Sequence, residues 1–402
     1  MTALNEAQFD VVVVGGGPAG ATAAKDLAQA GRSVLLLDRA GRIKPCGGAI
    51  PPRLIRDFDI PDQLLVARAT AARMISPSSR QVDMPIEGGF VGMVDRAEFD
   101  EWLRTRAANA GAVRKTGTFA RIERDPDGAA IVCYREGAGK DETDIRRVRA
   151  RLVVGADGAR SRLARQVIAG ADKTPCVFAY HEIIRSPQGA AGGDFDPTRC
   201  DIFYQGQLSP DFYAWIFPHG ETTSVGVGSA VKGFPLREAV KAARGSAALQ
   251  DCATLRTEGA PIPLRPLKRW DNGRDIVLAG DAAGVVAPAS GEGIYYAMVG
   301  GREAANAVEE VLATGKARAL RGARKRFMRA HGRVFLILRI MQHFWYRNDK
   351  RREGFVKMCA DPDVQTLTWQ AYMNKELVRA DPARHLRIFL KDMGHLLNLS
   401  TP

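Results

Sequence analysis

The chain has 402 residues, 46% of them hydrophobic, and a net charge of +13, so two domains with a large buried core are possible. No two of its six cysteines form a CxxC pair, so the sequence predicts neither a zinc site nor a disulfide framework, and a reducing cytoplasm fits best. No signal-peptide pattern and no run of about 18 apolar residues occurs, so we expect a protein that is neither secreted nor membrane-spanning.

Residues 9–40, FDVVVVGGGPAGATAAKDLAQAGRSVLLLDRA, have the pattern of a strand, a glycine-rich turn, a helix and a second strand. The fully apolar run 11–14 suits a buried parallel strand. An alanine-rich segment that ends at Gly31 indicates the helix, and the second apolar run ends at Asp38. This order is typical of a dinucleotide-binding unit.

The turn carries the GxGxxG pattern, and each glycine has a physical role. Gly15 permits the tight turn, Gly17 lets a pyrophosphate approach the backbone, and Gly20 lets the helix pack close to the strand. Free N–H groups at the helix N-terminus favour phosphate. Asp38 is placed to accept hydrogen bonds from an adenosine ribose. The predicted contacts of this unit also include Ala19 and Arg39.

Two later segments bear on which dinucleotide is bound. RLVVGADGARSRLAR (151–165) is an apolar strand followed by Asp157 and the start of a basic helix. RDIVLAGDAAGVVAPASGEGIYYAMVGGREAANAV (274–308) is a strand that ends at Asp281, followed by a Pro/Gly-rich turn and a helix of small residues. Together with the first unit, these segments resemble, in order, the motifs of the flavin-dependent aromatic hydroxylase superfamily.

This resemblance implies FAD as the cofactor. It places Asp281 on the ribityl chain, aims the following helix at the flavin, and puts Arg96 on the phosphate side. Taken singly, Asp157 and Asp281 could be helix caps and Arg96 a solvated residue. The further predicted FAD contacts are Cys46, Gly47, Gly48, Arg96, Asp157, Gly280, Asp281, Gly291, Gly293 and Ile294. Because no second GxGxxG unit exists, a nicotinamide donor would have to dock transiently on the flavin.

The segments between the nucleotide-binding pieces have strand patterns. Apolar or aromatic-rich runs separated by turn residues predict an antiparallel sheet, at 72–85, 176–184, 200–206, 212–218 and 223–231. In FYAWIFPHG, Tyr213, Trp215 and Phe217 share one face of a strand, since side chains two apart point the same way. These three aromatic residues could pack on the core of the sheet or form a wall of the active-site cavity.

The expected fold is therefore α/β with an α+β insert. The prediction comprises a Rossmann-type FAD-binding domain (1–71, 96–172 and 260–320), an inserted antiparallel-sheet substrate domain (72–95 and 173–259) and a helical C-terminal region (321–402).

Two short stretches carry a closer resemblance. KPCGGAIP (44–51) and YAWIFP (213–218) are similar to the geranylgeranyl reductase family, and MISPSS and VGMVDRAEFDEWLR resemble the branch that makes the phytyl tail of chlorophyll and bacteriochlorophyll. The resemblance covers about residues 9–345. Flavin halogenases carry a related strand, with Trp first and Ile before the Pro, so Tyr213 and Phe217 favour the reductases.

The resemblance implies stepwise saturation of isolated C=C bonds in a geranylgeranyl chain. The substrate would be geranylgeranyl-bacteriochlorophyll or geranylgeranyl diphosphate, with NADPH, or else a ferredoxin-type protein, as electron donor. An unactivated alkene has almost no polar handle, so an apolar groove is expected, lined by Tyr213, Trp215, Phe217 and Pro288. Cys46 and Tyr213 are the candidate catalytic proton donors, and flavin-adjacent water is a third source.

Two other functions remain open at this point. A flavin monooxygenase or halogenase would share the fold, and a prenyl-binding chaperone could retain the fold without turnover. The intact glycine fingerprint, Asp281 and the Cys-Gly-Gly loop argue against the chaperone.

The positive charge is concentrated in one segment. Residues 318–352 contain twelve Lys or Arg and one acid, Asp349, a net +11. Phe327, Val334, Leu338, Met341 and Trp345 recur at helical spacing there, which fits either a buried or a membrane-seated helix. We expect the segment to bind an anionic membrane surface, which would place a cytoplasmic protein on the photosynthetic membrane. Neither nucleic acid nor a metal is expected as a partner, because no nucleic-acid module or ligand spacing occurs.

Overall fold

The structure is a computed structural model that describes residues 8–39, 43–136, 145–187 and 194–375. In chain order its strands are β1 (Gln8–Val14), β2 (Val34–Asp38), β3 (Ala49–Ile50), β4 (Leu65–Ala69), β5 (Ala71–Ile75), β6 (Gln81–Pro85), β7 (Val91–Val94), β8 (Val113–Arg124), β9 (Ala130–Glu136), β10 (Ile145–Gly155), β11 (Cys176–Arg185), β12 (Arg199–Phe203), β13 (Ala214–His219), β14 (Thr222–Ser229), β15 (Thr254–Pro263) and β16 (Ile276–Leu278). Its helices are α1 (Pro18–Gln29), α2 (Pro52–Asp57), α3 (Arg96–Asn109), α4 (Arg162–Val167), α5 (Leu236–Ser246), α6 (Ile294–Thr314), α7 (Arg321–Trp345), α8 (Asp349–Met358) and α9 (Pro362–Asn374).

The described residues divide into two compact units. The first contains the residues up to Lys44, Arg96–Cys176 and Pro261–Phe335, and the second contains Pro45–Asp95, Val177–Ala260 and the residues from Leu336 on. These units differ from the domains predicted from the sequence in two places. Residues 45–71 belong to the second unit, because β3 and β4 both pair with β7 in a small antiparallel sheet. The helix α7 begins in the first unit and ends in the second.

The first unit is built on a mainly parallel sheet. The pairings β8–β2, β2–β1, β1–β10 and β10–β16 are all parallel. The strand β9 pairs antiparallel with the second half of β8 and the first half of β10. The inner strands are apolar throughout because both faces are covered, and Val11–Val14 are at most 2% exposed. This is the Rossmann-type sheet that the sequence predicted.

The second unit is built on a mixed sheet in the order β15-β11-β14-β13-β12-β5-β6. The neighbours β11, β14, β13 and β12 pair antiparallel, and β12 pairs parallel with β5. One face of this sheet packs on α5 and forms the core of the unit, through Ala214, Ile216, Val225 and Val227 against Val240. Alternate residues of β13 therefore point to the opposite face.

The helices α8 and α9 pack on the second unit through polar contacts. The guanidinium of Arg352 is 2% exposed, donates to Pro210 O and Tyr346 O, and forms an ion pair with Asp349. Asp349 also accepts a hydrogen bond from Gly206 N. These acceptors satisfy the two Nη groups of the buried guanidinium, and α8 is thereby held to the loop that precedes β13.

Candidate functional site

The glycine fingerprint forms a turn that side chains could not enter. Gly15 has φ +104°, and a Cβ atom placed on it would lie 2.3 Å from Ala156 O. A Cβ atom on Gly20 would lie 1.8 Å from Gly15 O. Around Gly17, by contrast, no described atom lies within 4 Å of the position of a Cβ. Gly15 and Gly20 are therefore needed by the fold itself, whereas Gly17 faces open space.

The helix α1 begins directly at this open space. Gly17 is its N-cap and has no side chain to satisfy the first N–H groups, and Pro18 occupies the first turn. Free N–H groups together with the helix dipole favour an anion at this end. The arrangement fits the pyrophosphate of a dinucleotide.

Asp38 lies at the end of β2 with a basic partner that the sequence analysis missed. Arg104 Nη1 donates to Asp38 Oδ2 over 3.2 Å and to Gly16 O over 3.4 Å. Arg104 belongs to α3, 66 residues along the chain. Its motif, DEWLRTRA, contains several charged residues, and nothing in the spacing singles Arg104 out. The neighbouring predicted contact, Arg39, is exposed.

Asp281 provides the clearest test of whether FAD fits. Its side chain is 5% exposed, and Oδ2 forms an ion pair with Lys44 Nζ at 2.6 Å. Its Oδ1 is buried and has no hydrogen-bond partner among the described residues. A buried carboxylate oxygen needs a donor, and a ribityl hydroxyl of FAD would supply one. Lys44, missed from the sequence, keeps the other oxygen satisfied.

The backbone around Asp281 leads into the N-terminus of α6. Gly280 and Gly291 have φ values of +61° and +64°, which favour glycine. Gly293 is the N-cap of α6 and has no capping side chain, and Ile294 is the first helical residue. A Cβ atom on Gly293 would lie 3.7 Å from Asp281 Oδ1. The unpartnered carboxylate oxygen and a free helix N-terminus are thus neighbours, which suits a ligand with both hydroxyl and acceptor groups.

Asp157 has a structural task in this fold. Its carboxylate accepts hydrogen bonds from the hydroxyl of Ser161 and from the N–H groups of Arg162 and Leu163 at the start of α4. Burial raises its pKa, and these hydrogen bonds oppose the rise. The structure therefore shows the helix-capping role that the sequence left open, and the predicted FAD contact of Asp157 stays a prediction.

Arg96 is not the solvated residue that the alternative interpretation required. It is 4% exposed at the start of α3, and its Nε and Nη2 donate to the two carboxylate oxygens of Asp100 over 2.9 and 2.7 Å. A bidentate pair of this kind holds the guanidinium plane in one orientation. The predicted phosphate contact of Arg96 stays a prediction.

In the second unit, the Cys46-Gly47-Gly48 loop packs against the aromatic strand. A Cβ atom on Gly47 would lie 3.0 Å from the ring of Phe217, and one on Gly48 would lie 2.4 Å from His219 Nε2. Gly48 has φ +72°, and its N–H lies 3.4 Å from Cys46 Sγ. These glycines are therefore needed for close packing within the second unit. Cys46 itself is half-buried.

The aromatic strand presents Tyr213, Trp215 and Phe217 on one face. The ring centroids of Tyr213 and Trp215 are 6.0 Å apart, and those of Trp215 and Phe217 are 6.2 Å apart. The core of the sheet is formed by the opposite face, through Ala214 and Ile216. The three rings therefore lie on the face opposite to this core, and their predicted role as a cavity wall stays a prediction. Pro288, the fourth predicted wall residue, is buried in the first unit.

Further buried tyrosines lie beside Tyr213. The ring of Tyr204 is 6.2 Å from that of Tyr213 and 5.3 Å from that of Tyr346. Burial raises the pKa of Tyr204 and of Tyr346 well above the ordinary value of a phenol. No sequence pattern indicated Tyr346, because it follows the basic helix and lies far from the strand in the chain.

All six cysteines lie in the described part of the chain, and none of them forms a disulfide. Within the described ranges, no group of three or more His, Cys, Asp or Glu side chains is arranged to hold a metal ion.

Comparison with known proteins agrees with this geometry. Residues 8–177 match the FAD binding domain family. A geranylgeranyl diphosphate reductase from Rhodobacter capsulatus is 56% identical over 395 residues, which cover 98% of this chain and 99% of the relative. A geranylgeranyl diphosphate reductase from Synechocystis is 34% identical over 401 residues, covering 96% and 97%.

Solved structures share the fold. The structure of a geranylgeranyl bacteriochlorophyll reductase-like protein from Thermoplasma acidophilum has a TM-score of 0.80 at 22% identity, covering 94% of this chain and all of that one. A flavin-dependent brominase has a TM-score of 0.72 at 17% identity, covering 96% and 99%.

The fold and the first unit define a flavoprotein with an FAD-binding domain, so the predicted fold class and the predicted FAD cofactor are confirmed. The chain belongs to the geranylgeranyl diphosphate reductase family, as its two short motifs indicated.

Proposed function

We propose that this protein is an FAD-dependent reductase that saturates the isolated C=C bonds of a geranylgeranyl chain stepwise to phytyl. One observation carries the proposal: the backbone of Gly47, next to the candidate proton donor Cys46, packs on Phe217, beside Trp215. The Cys46-Gly47-Gly48 loop and the aromatic side chains Trp215 and Phe217 are thus packed together. An apolar wall of this kind suits a substrate with no polar handle at its reacting bond.

The residues of the first unit would hold the cofactor. The N-terminus of α1 at Gly17 would receive the pyrophosphate, and Asp281 Oδ1 would accept from the ribityl chain. When bound and reduced by the electron donor, FAD would supply a hydride to one carbon of the alkene. A proton must be added to the other carbon, and the protein must orient the chain and exclude water there.

Cys46 and Tyr213 are the side chains that could supply this proton. Tyr213 stacks on Phe212, with ring centroids 4.3 Å apart, and is 9% exposed. The half-buried Cys46 is therefore the more accessible of the two. We propose NADPH as the transient electron donor, and geranylgeranyl-bacteriochlorophyll or geranylgeranyl diphosphate as the substrate.

The proposal is tested by anaerobic turnover. The FAD-loaded full-length protein is incubated with NADPH in two parallel reactions. One contains geranylgeranyl-bacteriochlorophyll and the other contains geranylgeranyl diphosphate, and the mass of the product is followed in each. We expect the prenyl chain to gain mass in steps of two hydrogen atoms. Reduction in only one of the two incubations identifies the substrate. No reduction of either, with oxygen-dependent NADPH oxidation in air, would instead indicate the monooxygenase or halogenase.

We further propose that the protein binds to the anionic lipid surface on the cytoplasmic side of the photosynthetic membrane. No helix in the described ranges is long and apolar enough to cross a bilayer. In α7, however, Leu336, Ile337 and Ile340 are 47%, 41% and 58% exposed, while Phe327 and Phe335 are buried. Of the predicted stripe, Phe327 is buried and the other four residues are partly buried, and the exposed apolar face is formed by residues outside that stripe.

Charge indicates what this face could contact. The exposed Arg333 and Arg339 lie on the same helix, Arg333 before the three apolar residues and Arg339 directly before Ile340. Each basic side chain near an anionic leaflet contributes about 1 kcal/mol, and apolar residues between them add to it by insertion. The exposed basic residues of the segment 318–352 would thus favour a lipid surface, where a prenyl-tailed substrate would be found.

Flotation with vesicles tests the docking. The wild-type protein should float with vesicles that contain anionic lipid at low salt and be released at high salt. Ile340→Glu should weaken flotation about tenfold, because an inserted side chain becomes charged. Leu255→Glu is the matched control, since Leu255 is equally apolar and 49% exposed but lies on β15. Absence of binding at low salt would exclude the membrane surface.

A further inference from the structure

A polar layer lies beside the aromatic strand on the same face of the sheet in the second unit. The strand β14 runs between β11 and β13, and Gly226 pairs with His181 on one side and Trp215 on the other. A Cβ atom on Gly226 would lie 2.1 Å from the indole and 2.6 Å from His181 Cβ. Because Gly226 has no side chain, the two rings meet above it, with centroids 6.2 Å apart.

Three hydrogen bonds connect this pair to two further residues. Trp215 Nε1 donates to Ser224 Oγ over 3.1 Å. Ser224 Oγ lies 3.0 Å from His181 Nδ1, and His181 Nε2 lies 2.9 Å from Glu258 Oε2. Ser224 is fully buried and His181 is 2% exposed. The four groups therefore form a continuous chain that crosses β13, β14, β11 and β15.

The direction of this chain follows from the chemistry of its two ends. An indole N–H can only donate, so Ser224 Oγ accepts from Trp215 and its single hydrogen is left for His181 Nδ1. An ionised carboxylate can only accept, so His181 Nε2 must carry the other hydrogen. The carboxylate end fixes the tautomer of a neutral His181, with Nε2 protonated and Nδ1 accepting, and the hydroxyl hydrogen of Ser224 completes the chain.

The charge state of Glu258 agrees with this direction. Burial tends to raise its pKa, but the hydrogen bond from His181 and the charge of Arg256 hold the pKa below its usual value. Arg256 Nε lies 2.8 Å from Glu258 Oε1, and Arg256 Nη2 lies 3.5 Å from Asp95 Oδ2. The acceptor end is thus stabilised as a carboxylate.

A hydroxyl, an imidazole and a carboxylate in this order also occur in the triads of serine hydrolases. Here the hydroxyl of Ser224 is fully buried and already accepts from Trp215. A nucleophile must reach its substrate, so this arrangement does not fit hydrolysis. It fits the support of a neighbouring side chain, since hydrogen bonds of this type fix the orientation of a ring that faces a site.

The side chain supported in this way is the indole of Trp215, which lies next to the Cys46-Gly47-Gly48 loop. A Cβ atom on Gly47 would lie 3.9 Å from Trp215 Nε1 and 3.0 Å from the ring of Phe217. Rotation of the indole would break its bond to Ser224 and open the contact with Gly47. We infer that Glu258, His181 and Ser224 are positioning residues that fix the indole of Trp215 and, through it, the Cys46-Gly47-Gly48 loop. The consequence for turnover rests on the proposed reduction of the prenyl chain.

The first test is spectroscopic and needs no substrate. In the full-length FAD-loaded protein, nitrogen NMR of labelled histidine should show His181 as the neutral Nε2–H tautomer, and the Trp215 indole N–H, assigned with Trp215→Phe, should exchange slowly. In Ser224→Ala this N–H should exchange at least about tenfold faster, as expected when one hydrogen bond is lost. Ser224→Thr, which keeps a hydroxyl, should restore slow exchange.

The matched control is Ser229→Ala. Ser229 lies on the same strand and is 2% exposed, but it donates to Asp211. The Ser229→Ala substitution should leave the exchange rate of the Trp215 N–H unchanged. An Nδ1–H tautomer of His181, or equal exchange of the Trp215 N–H in Ser224→Ala and Ser229→Ala, would overturn the inference.

The second test measures turnover. In Ser224→Ala we expect kcat to fall about tenfold while KM for the prenyl substrate changes less than about twofold, because misplacement of a reacting group costs rate rather than binding. Equal kcat in Ser224→Ala and Ser229→Ala would contradict the positioning role. If the wild-type protein reduces no prenyl chain, the proposed function fails, and the NMR result still decides on the hydrogen-bond chain.

Discussion

The two units build their candidate sites by different means. In the first unit the candidate site is formed mainly by the backbone, at the turn of Gly15 and Gly20 and at the open helix end at Gly17. In the second unit the site consists of side chains, with Trp215 held by residues from neighbouring strands. A backbone site depends on a few adjacent residues, whereas a side-chain site depends on the register of several strands. Substitutions should therefore act on folding or cofactor binding in the first unit, and on turnover in the second.

The largest effect is expected for Gly20→Ala. The added Cβ would lie 1.8 Å from Gly15 O, so the turn or α1 must move. We expect the free energy of unfolding to fall by about 3 kcal/mol, with loss of bound FAD, measured by thermal unfolding and flavin absorbance. Gly300→Ala is the matched control: Gly300 is also helical, but its Cβ would find its nearest neighbour at 3.4 Å. A Gly20→Ala variant as stable as Gly300→Ala would contradict the expectation that substitutions in the turn of the first unit act on folding.

The next effect concerns Cys46→Ala. Because Cys46 is half-buried in a loop whose shape depends on Gly47 and Gly48, loss of the thiol should leave the fold intact. We expect FAD to remain bound and alkene reduction to fall at least about tenfold, as for loss of a general acid. Chain mass after anaerobic turnover is the measurement, and Cys252→Ala, another partly exposed cysteine, is the control. Full multi-step reduction by Cys46→Ala would exclude the catalytic role.

A smaller and more selective effect is expected for Gly17→Ala. No described atom lies within 4 Å of the new Cβ, and Gly17 has an ordinary φ of −74°. The stability of the FAD-free protein should therefore be unchanged within about 2 °C in Tm. The affinity for FAD should fall about tenfold, because the methyl group occupies the approach of the pyrophosphate. Unchanged affinity in a titration that follows flavin fluorescence would show that the cofactor lies elsewhere.

Much of the first unit could be predicted because its signals are local. The strand, the turn and the helix that follow Phe9 are adjacent in the chain, and each glycine reports a requirement of its own backbone. The same holds for the alternation of Tyr213, Trp215 and Phe217, which depends only on the period of a strand. The fold class, the family and the cofactor followed from such local patterns.

Other residues could not be found in this way. Arg104 joins Asp38 from 66 residues away, and Lys44 joins Asp281 from 237 residues away. Charged residues are frequent in this chain, and a sequence pattern does not tell which of them will meet. The grouping of residues 45–71 with the second unit could not be predicted for the same reason, because the pairing of β3 and β4 with β7 is a long-range contact.

By itself, the sequence determined that this protein has a dinucleotide turn, an FAD-type motif order and an aromatic strand. Each of these is a property of a few consecutive residues, set by backbone sterics and side-chain period. Only the tertiary structure decided that Gly47 packs on Phe217 and that His181 and Trp215 meet over Gly226. These contacts depend on the register of strands distant in the chain. That register results from the burial of the opposite face of the sheet on α5, and no local pattern encodes it.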